Sequence, residues 1–321
     1  MTDQEAAGGV GVRMVAVSAE QGDQRIDNFL LRELKGVPKS RVYRLLRKGE
    51  VRVNRSRVKA DYRVQPGDQV RIPPVRTAQA VAPARPSAGL SGVLAARILY
   101  EDAGLLIVDK PAGLAVHGGS GLDLGLIEAL RAMRPEAPFL ELVHRLDRDT
   151  SGCVMIAKKR SALRSLHAML RGTGITKVYW ALADGRWPAH TRRVDAPLAK
   201  NVLKSGERLV KVAAEGRPAL TEFAVLERFA RATLVEARPI TGRTHQIRVH
   251  AKQAGHALLG DEKYGQRDAN AWAREQGLKR LFLHASRLEL PWEGARLAVS
   301  APLGPELEAV LQRLRAQGGR L

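Results

Sequence analysis

The segment Glu141-Leu-Val-His144-Arg145-Leu146-Asp147-Arg148-Asp149-Thr150-Ser151-Gly152 places charged and hydroxyl side chains between apolar Leu142-Val143 and the apolar run Val154–Ala157. Catalytic groups commonly sit on loops held by rigid flanks. A carboxylate there could act as nucleophile or general base. Two compete for the role, Asp147 and Asp149, and by residue type alone a turn with an Asp/Ser cap and surface ion pairs explains the segment equally. A second cluster runs Thr241-Gly242-Arg243-Thr244-His245-Gln246-Ile247-Arg248-Val249-His250, then Gly255-His256 and Gly260-Asp261. Three histidines and an aspartate invite a metal site. His245 and His250 are five apart, however, which is neither one helix face nor alternate strand positions. The expected roles are a capped helix start, packing by Ile247 and Val249, and hydrogen-bonding histidines, with no metal bound.

Those loops need a scaffold, and 321 residues with 45% hydrophobic content suffice for two packed domains. No apolar run is long enough to span a membrane. Met1 to Arg13 lacks the apolar stretch of a secretory signal, and Cys153 is the single cysteine, which excludes an internal disulfide and a cysteine zinc site. These features imply a cytoplasmic protein. The 53 Lys and Arg against 33 Asp and Glu give a net charge of +20, which calls for a polyanionic partner. The excess is spread over several segments and is mostly Arg, which favours nucleic acid over a membrane surface.

Residues 1–22 are expected to be a flexible leader and 23–76 a compact basic module. Its first helix is expected to be capped by Asp23 and to bury Ile26, Phe29, Leu30 and Leu34. A second runs from Pro38 to a stop at Gly49, with Val42, Tyr43, Leu45 and Leu46 on one face and Lys39, Arg41, Arg44, Arg47 and Lys48 interleaved. Short strands follow around Arg52 and Val70–Ile72. Between Lys39 and Arg76 twelve basic residues face three acidic ones, +9 in 38 residues, which marks this block as the phosphate-binding surface. Residues 77–96, rich in Ala, Pro and Ser, are expected to be a linker. From 97 to 321 the pattern is that of an α+β domain. It predicts a hairpin through Ile98–Val108, a helix at Leu126–Met133, a buried strand at Val154–Ala157 and a helix capped by Ser161. Strands are predicted near Val178–Leu182, Thr221–Leu226 and Thr233–Ala237, and helices from Gln246 and from Pro305.

The string His144-Arg-Leu-Asp147-Arg-Asp-Thr-Ser-Gly152 resembles the signature of pseudouridine synthases that modify large-subunit (23S) ribosomal RNA. The resemblance covers most of the chain: Lys110-Pro111-Ala-Gly113, Lys177-Val-Tyr179, Gly216-Arg-Pro218, the Gly242–His250 run and Gly255-His256 to Gly265 occur in the family's order. The basic block resembles an S4 RNA-binding module. Asp109, Cys153 and Ala257 depart from the residues frequent at those positions. The resemblance implies an S4 domain before a catalytic domain with a mixed, largely antiparallel sheet.

It also implies a reaction. Pseudouridine formation breaks the N1–C1′ bond of uridine, turns the detached uracil and joins C5 to C1′. No redox change occurs, so no cofactor is expected. The chemistry asks for one ionised carboxylate in a dry pocket and a guanidinium to keep it charged. By resemblance these are Asp147 and Arg248, with Tyr179 stacking on the flipped base and Arg145 entering the vacated space. Arg148, Arg243 and Gln246 are expected to hold RNA near the site, and Lys39, Arg41, Arg44, Arg47, Lys48 and Arg52 to hold it on the basic module. The expected partner is 23S rRNA, bound by a monomer. Two rivals stand beside this: a non-catalytic ribosome-assembly factor, and an RNA hydrolase using Asp147 with His144 or His245.

Overall fold

A computed structural model describes residues 11–34, 36–75, 86–118, 124–202 and 208–318. The chain divides into two compact units, residues 1–83 and 84–321, and the division falls inside the expected linker. Residues 1–10 of the expected leader and 77–85 of the linker lie outside the described residues.

The N-terminal unit comprises β1 (Arg13–Ala16), α1 (Ile26–Glu33), α2 (Lys39–Lys48), β2 (Arg52–Val53), β3 (Ser56–Arg57) and β4 (Gln69–Ile72). Its strands form an antiparallel sheet in the order β1-β4-β2-β3. β1 corrects the expected leader: Arg13–Ala16 pairs along the whole of β4, whose backbone groups would otherwise lack partners on that side. The expected Asp23 cap does not form. Asp23 turns at φ +59° and donates its N–H to the Val64 carbonyl, and Ile26 donates to Tyr62, so tertiary backbone bonds replace the side-chain cap. α2 ends as expected, because Gly49 at φ +68° adopts the left-handed conformation that closes a helix without steric cost. Ile26, Phe29, Leu30, Val42, Leu45 and Leu46 pack with Val53, Val70 and Ile72 in one core. Tyr43, expected on that apolar face, is instead 40% exposed.

The larger unit opens with α3 (Ala88–Ala95), a helix where the sequence suggested linker. Ser87 accepts a hydrogen bond from the Leu90 amide and so caps it, and Leu94 is fully buried in the core. There follow β5 (Ile98–Glu101), β6 (Leu105–Lys110), α4 (Leu126–Met133), β7 (Glu141–Leu142), β8 (Ser151–Ala157), α5 (Arg160–Arg171) and β9 (Thr176–Asp184). β10 (Arg193–Asp195), β11 (Leu198–Val202), β12 (Arg208–Val212), β13 (Leu220–Arg228), β14 (Ala232–Pro239), α6 (Gln246–Gln253), α7 (Arg267–Glu275), β15 (Leu283–Trp292), β16 (Ala295–Ser300) and α8 (Pro305–Gly318) complete it. Lys159, not Ser161, stands at the α5 N-cap and makes no side-chain bond there.

The main sheet runs β10-β13-β14-β9-β15-β8-β6-β5, with β16 beside β15 and β7 beside β8. Every pairing is antiparallel except β15 with β8, so the fold is α+β with a mixed, largely antiparallel sheet. Its centre is covered on both faces. Leu106, Val108, Val154 and Ile156 enter one core cluster, and the alternate residues Leu105, Ile107, Cys153, Met155 and Ala157 enter another. β15 escaped the sequence reading because His284, Ser286, Arg287 and Glu289 interrupt its apolar pattern. His284 and Ser286 are buried and hydrogen-bonded to Ser151 and to the Val178 carbonyl, which removes the cost of placing polar groups there. No helix among the described residues is long and apolar enough to cross a membrane.

The parallel β8–β15 seam sits directly after the Asp147 loop and depends on Gly152. This residue has φ +106°, and a Cβ there would lie 2.2 Å from the Ala285 carbonyl oxygen. Gly152→Ala should therefore lower unfolding stability by more than the ~1–3 kcal/mol of the backbone conformation alone. Thermal and denaturant melts check this, and a variant as stable as the parent would show that the seam tolerates separation.

Candidate active site

The loop that carries Asp147 is fastened from below by Lys110. This lysine ends the buried strand β6, is completely inaccessible, and donates to three carbonyls: Pro111 at 2.8 Å, Leu114 at 2.7 Å and Arg148 at 3.0 Å. Burial pushes its pKa down to about 7, against the raising fields of Asp149 and Asp147. The Gly113 amide also donates to the Arg148 carbonyl, and the Thr150 amide to that of Asp147. Backbone conformation on both sides of Asp147 is thus set by internal hydrogen bonds.

The opposing wall comes from α6. His245 at φ +53° turns the chain into the helix, and Gln246 fixes that turn. Its Oε1 accepts from the Arg243 amide and the Thr241 hydroxyl, and its Nε2 donates to the Leu220 carbonyl and the Thr221 hydroxyl. All four hydrogen-bonding positions of the Gln246 amide are occupied, and the residue is buried. No hydrogen-bonding position of Gln246 is left for the RNA it is expected to hold, and in this structure those bonds shape the loop.

Arg248, one turn into the helix, joins two carboxylates. Its Nε and Nη2 form a bidentate pair with Asp261 at 2.7 and 2.8 Å, and its Nη1 donates to Asp147 Oδ2 at 2.9 Å. The Asp261 side chain is fully buried and that of Asp147 is 27% exposed. Burial pushes the Asp261 pKa up. The Arg248 guanidinium and the Tyr264 and Lys263 amides together outweigh burial and hold it below the usual carboxylate range. Arg248, whose pKa burial lowers and Asp261 and then Asp147 raise, stays charged on balance. Its guanidinium also lies 5.0 Å from the Tyr264 ring centroid. Asp147 Oδ1 carries no hydrogen bond among the described residues, so one oxygen is anchored and the other is open.

His245 approaches from the side, with Nε2 3.8 Å from Asp147 Oδ2. Its Nδ1 is 2.7 Å from the Tyr264 hydroxyl, which itself accepts from the Val210 amide. Burial lowers the histidine's pKa, against the raising field of Asp147. The histidines of the suspected metal cluster have separate partners: His250 binds the Thr221 hydroxyl and the Ala196 carbonyl, and His256 the Asp184 carbonyl. His144 is likewise occupied, accepting the Met155 amide at Nε2 while burial lowers its pKa to about 4.

Asp147, Arg145, Arg148, His245, Arg248 and Asp261 are among the residues lining a cleft of about 550 Å³, a size suited to a small ligand. Arg145 and Arg148 are exposed. Asp149 lines the cleft too, but its carboxylate is half exposed and faces Arg148 at 3.2 Å. Of the two competing aspartates, only Asp147 meets Arg248. Tyr179 on β9 is 8% exposed and belongs to the same buried cluster as Leu146 and Ile247. Burial first, then the charge of Asp147, raises the pKa of its phenol, whose hydroxyl has no hydrogen bond among the described residues. Arg243 is exposed and donates to the Pro218 carbonyl at 3.0 Å. On the N-terminal unit Lys39, Arg41, Arg44, Arg47, Lys48 and Arg52 are all exposed, and none pairs with a carboxylate among the described residues.

Three residues that hold the site were not given that role from sequence: Lys110 and Tyr264 stood only within the family's motifs, and Asp261 only as a candidate metal ligand. Lys110 could have been found, because a lysine closing the apolar run Leu105–Val108 has nowhere to go but a buried strand end. Asp261 lies beside Glu262 and shortly after the apolar Leu258-Leu259, and nothing local marks it as the partner of Arg248.

Because the folded pKa of Asp261 is depressed, its stabilising contribution is present above the ordinary value of ~3.9 and is lost as pH falls through the lower folded value. Asp261→Asn leaves Arg248 with one carboxylate, so it should cost about 3 kcal/mol at pH 7 and less at pH 3. Denaturant unfolding at both pH values measures this. An equal cost at pH 7 and pH 3 would mean that charge pairing is not what Asp261 supplies.

Family models match this architecture unit by unit: an S4 domain over residues 24–70 and an RNA pseudouridylate synthase over residues 104–253. The ribosomal large subunit pseudouridine synthase C of Salmonella typhi is 55% identical over 311 residues, covering 95% of this chain and 98% of that protein. The protein of the same name from Haemophilus influenzae is 55% identical over 307 residues, covering 95% of each. Among solved structures, human RNA pseudouridylate synthase domain containing 4 superposes with a TM-score of 0.60 at 28% identity, over 71% of this chain and 96% of that one. Human RNA pseudouridylate synthase domain containing 1 gives 0.52 at 28% identity, over 68% and 94%. With more than half its residues identical to such relatives over nearly its full length, this chain belongs to the RNA pseudouridine synthase family.

Proposed function

We propose that the protein isomerises specific uridines of 23S ribosomal RNA to pseudouridine, with Asp147 as the essential carboxylate. The observation that carries this reading is the state of Asp147. One oxygen is held by an arginine that a second, buried carboxylate fixes, and the other opens into a cleft. The relatives' names supply the class of RNA: both act on the large ribosomal subunit. We place the reaction in the cytoplasm and take the working unit to be a monomer, with residues 23–76 gripping RNA and 97–321 performing the chemistry.

The reaction conserves atoms and electrons. The N1–C1′ pair departs with uracil, the ring turns, C5 joins C1′, the C5 proton is released and N1 takes one up. The target base must leave its stack, at a cost of a few kcal/mol. Arg145, exposed at the cleft, occupies the space it vacates. Tyr179 receives the base, its ring offering stacking and its unpartnered hydroxyl a donor near Asp147. Arg148 and Arg243 hold phosphates near the cleft. Lys39, Arg41, Arg44, Arg47, Lys48 and Arg52, exposed on the N-terminal unit, provide most of the affinity, since phosphate contacts position RNA without reading it.

Asp147→Asn keeps size but removes charge and the anionic oxygen. Tritium release from 5-tritiated uridine in an rRNA fragment should fall below detection while melting temperature and RNA affinity persist. Asp149→Asn should retain activity. A folded Asp147→Asn protein that releases tritium near the parent rate would end this assignment.

For Tyr179, the Phe variant separates ring from hydroxyl. Stacking is worth ~1–3 kcal/mol per base, so Tyr179→Ala should lose turnover, and Tyr179→Phe should keep it if the ring alone suffices. Parent-like turnover in Tyr179→Ala would remove the residue from the mechanism.

A further inference from the structure

Tyr43 combines three features that its helix does not need for packing. The residue is 40% exposed although Val42, Leu45 and Leu46 on the same helix are buried. Its hydroxyl is fastened, donating to Asp27 Oδ2 at 2.8 Å, and Asp27 is itself locked by a two-pronged pair with Arg25 and by the Asn28 amide. The ring is therefore presented in a fixed orientation while its outer part meets solvent. A rigid aromatic that is already ordered loses little freedom when something stacks on it.

Its neighbours give the third feature. Residues four apart share a helix face, so Lys39, Tyr43 and Arg47 form one row with the aromatic between two cations. Arg44 adjoins it, and Arg41 and Lys48 lie on the same helix. These cations are exposed and unpaired with any carboxylate among the described residues. Only the anchoring carboxylate Asp27 faces the tyrosine from α1, and it is buried and neutralised by Arg25. An aromatic face set among uncommitted cations suits a nucleotide whose phosphates lie on the cations and whose base lies on the ring. A duplex could use the cations but would offer no free base.

We propose that Tyr43 is a stacking platform for one unpaired nucleobase of the RNA whose phosphates the basic face of α2 holds. The inference rests on the RNA-binding role given above to that face. It differs from that role in predicting a preference for single-stranded over duplex RNA and a contact that salt does not weaken.

The test uses the full-length protein and two RNAs of equal length, one an unstructured strand carrying 2-aminopurine and one a perfect duplex. Tyr43→Leu keeps apolar bulk and removes the ring, whereas Tyr43→Phe keeps the ring and removes the tether. The Leu variant should bind the single strand about tenfold more weakly. Its log–log salt slope should be unchanged, its duplex affinity should match the parent's, and the quenching of 2-aminopurine seen with the parent should be lost. The Phe variant should stay within about threefold of the parent. Parent-like binding and quenching by Tyr43→Leu would overturn the proposal. So would equal losses on both RNAs, or losses in both variants that follow a drop in melting temperature, since these identify a staple between α1 and α2. A triple Gln substitution at Arg41, Arg44 and Arg47 separates the two levels. It should flatten the salt slope by ~0.7 per lost single-strand phosphate contact. If it does not, the basic face itself has been misread, whatever Tyr43 does.

Discussion

A guanidinium buried at the wall of the cleft needs carboxylates as partners, and Arg248 has two. Its fork is satisfied by Asp261, whose side chain is completely buried, and one further N–H reaches Asp147. Bidentate geometry is what makes the division possible, because a guanidinium has donors on separate edges and an ammonium offers a point charge. Since two of its N–H groups are engaged by Asp261, Arg248 gives Asp147 a single hydrogen bond. One oxygen of Asp147 stays open, which is the condition a nucleophile or base requires.

Around that bridge most polar side chains have partners, the buried Thr150 hydroxyl and the Tyr179 hydroxyl excepted among the described residues. Lys110 spends its three protons on carbonyls that fix the Asp147 loop, Gln246 fills all four of its positions shaping the approach to α6, and the histidines bond to hydroxyls and carbonyls. A buried group left unpaired costs about as much as a lost hydrogen bond, so such networks hold one arrangement of the loops. Geometry here is stored in hydrogen bonds to the backbone more than in apolar packing. The apolar clusters on both faces of the central strands provide the rigid base on which the network rests.

The same partner test separates two kinds of arginine. Arg248, Arg97 and Arg25 are bonded to carboxylates within the fold and serve structure. Arg41, Arg44 and Arg47 have no such partner among the described residues and are exposed to an external polyanion. The net charge of +20 is accordingly not one undivided attraction. Part is neutralised locally, and α2 of the N-terminal unit carries five exposed cations of the part that is not.

What the sequence determined by itself was local or periodic. Apolar spacing marked α2, α4 and the strands β6, β8, β13 and β14. Gly49 marked a helix end, and the charge count marked the basic module. The string around Asp147 identified the family. Tertiary structure decided what has no local signature. Arg13–Ala16 became a strand because β4 had an open edge, and Ala88–Ala95 became a helix because Leu94 found a core. β15 is central although its polar residues hide its pattern, because their hydrogen-bond partners lie more than a hundred residues away. The surroundings of Asp147 and Asp149 were equally non-local. The two stand two residues apart, and in the folded chain Asp147 is the one that meets Arg248, from 101 residues along the sequence. Asp261 joined the site the same way, through a partner brought to it by the fold.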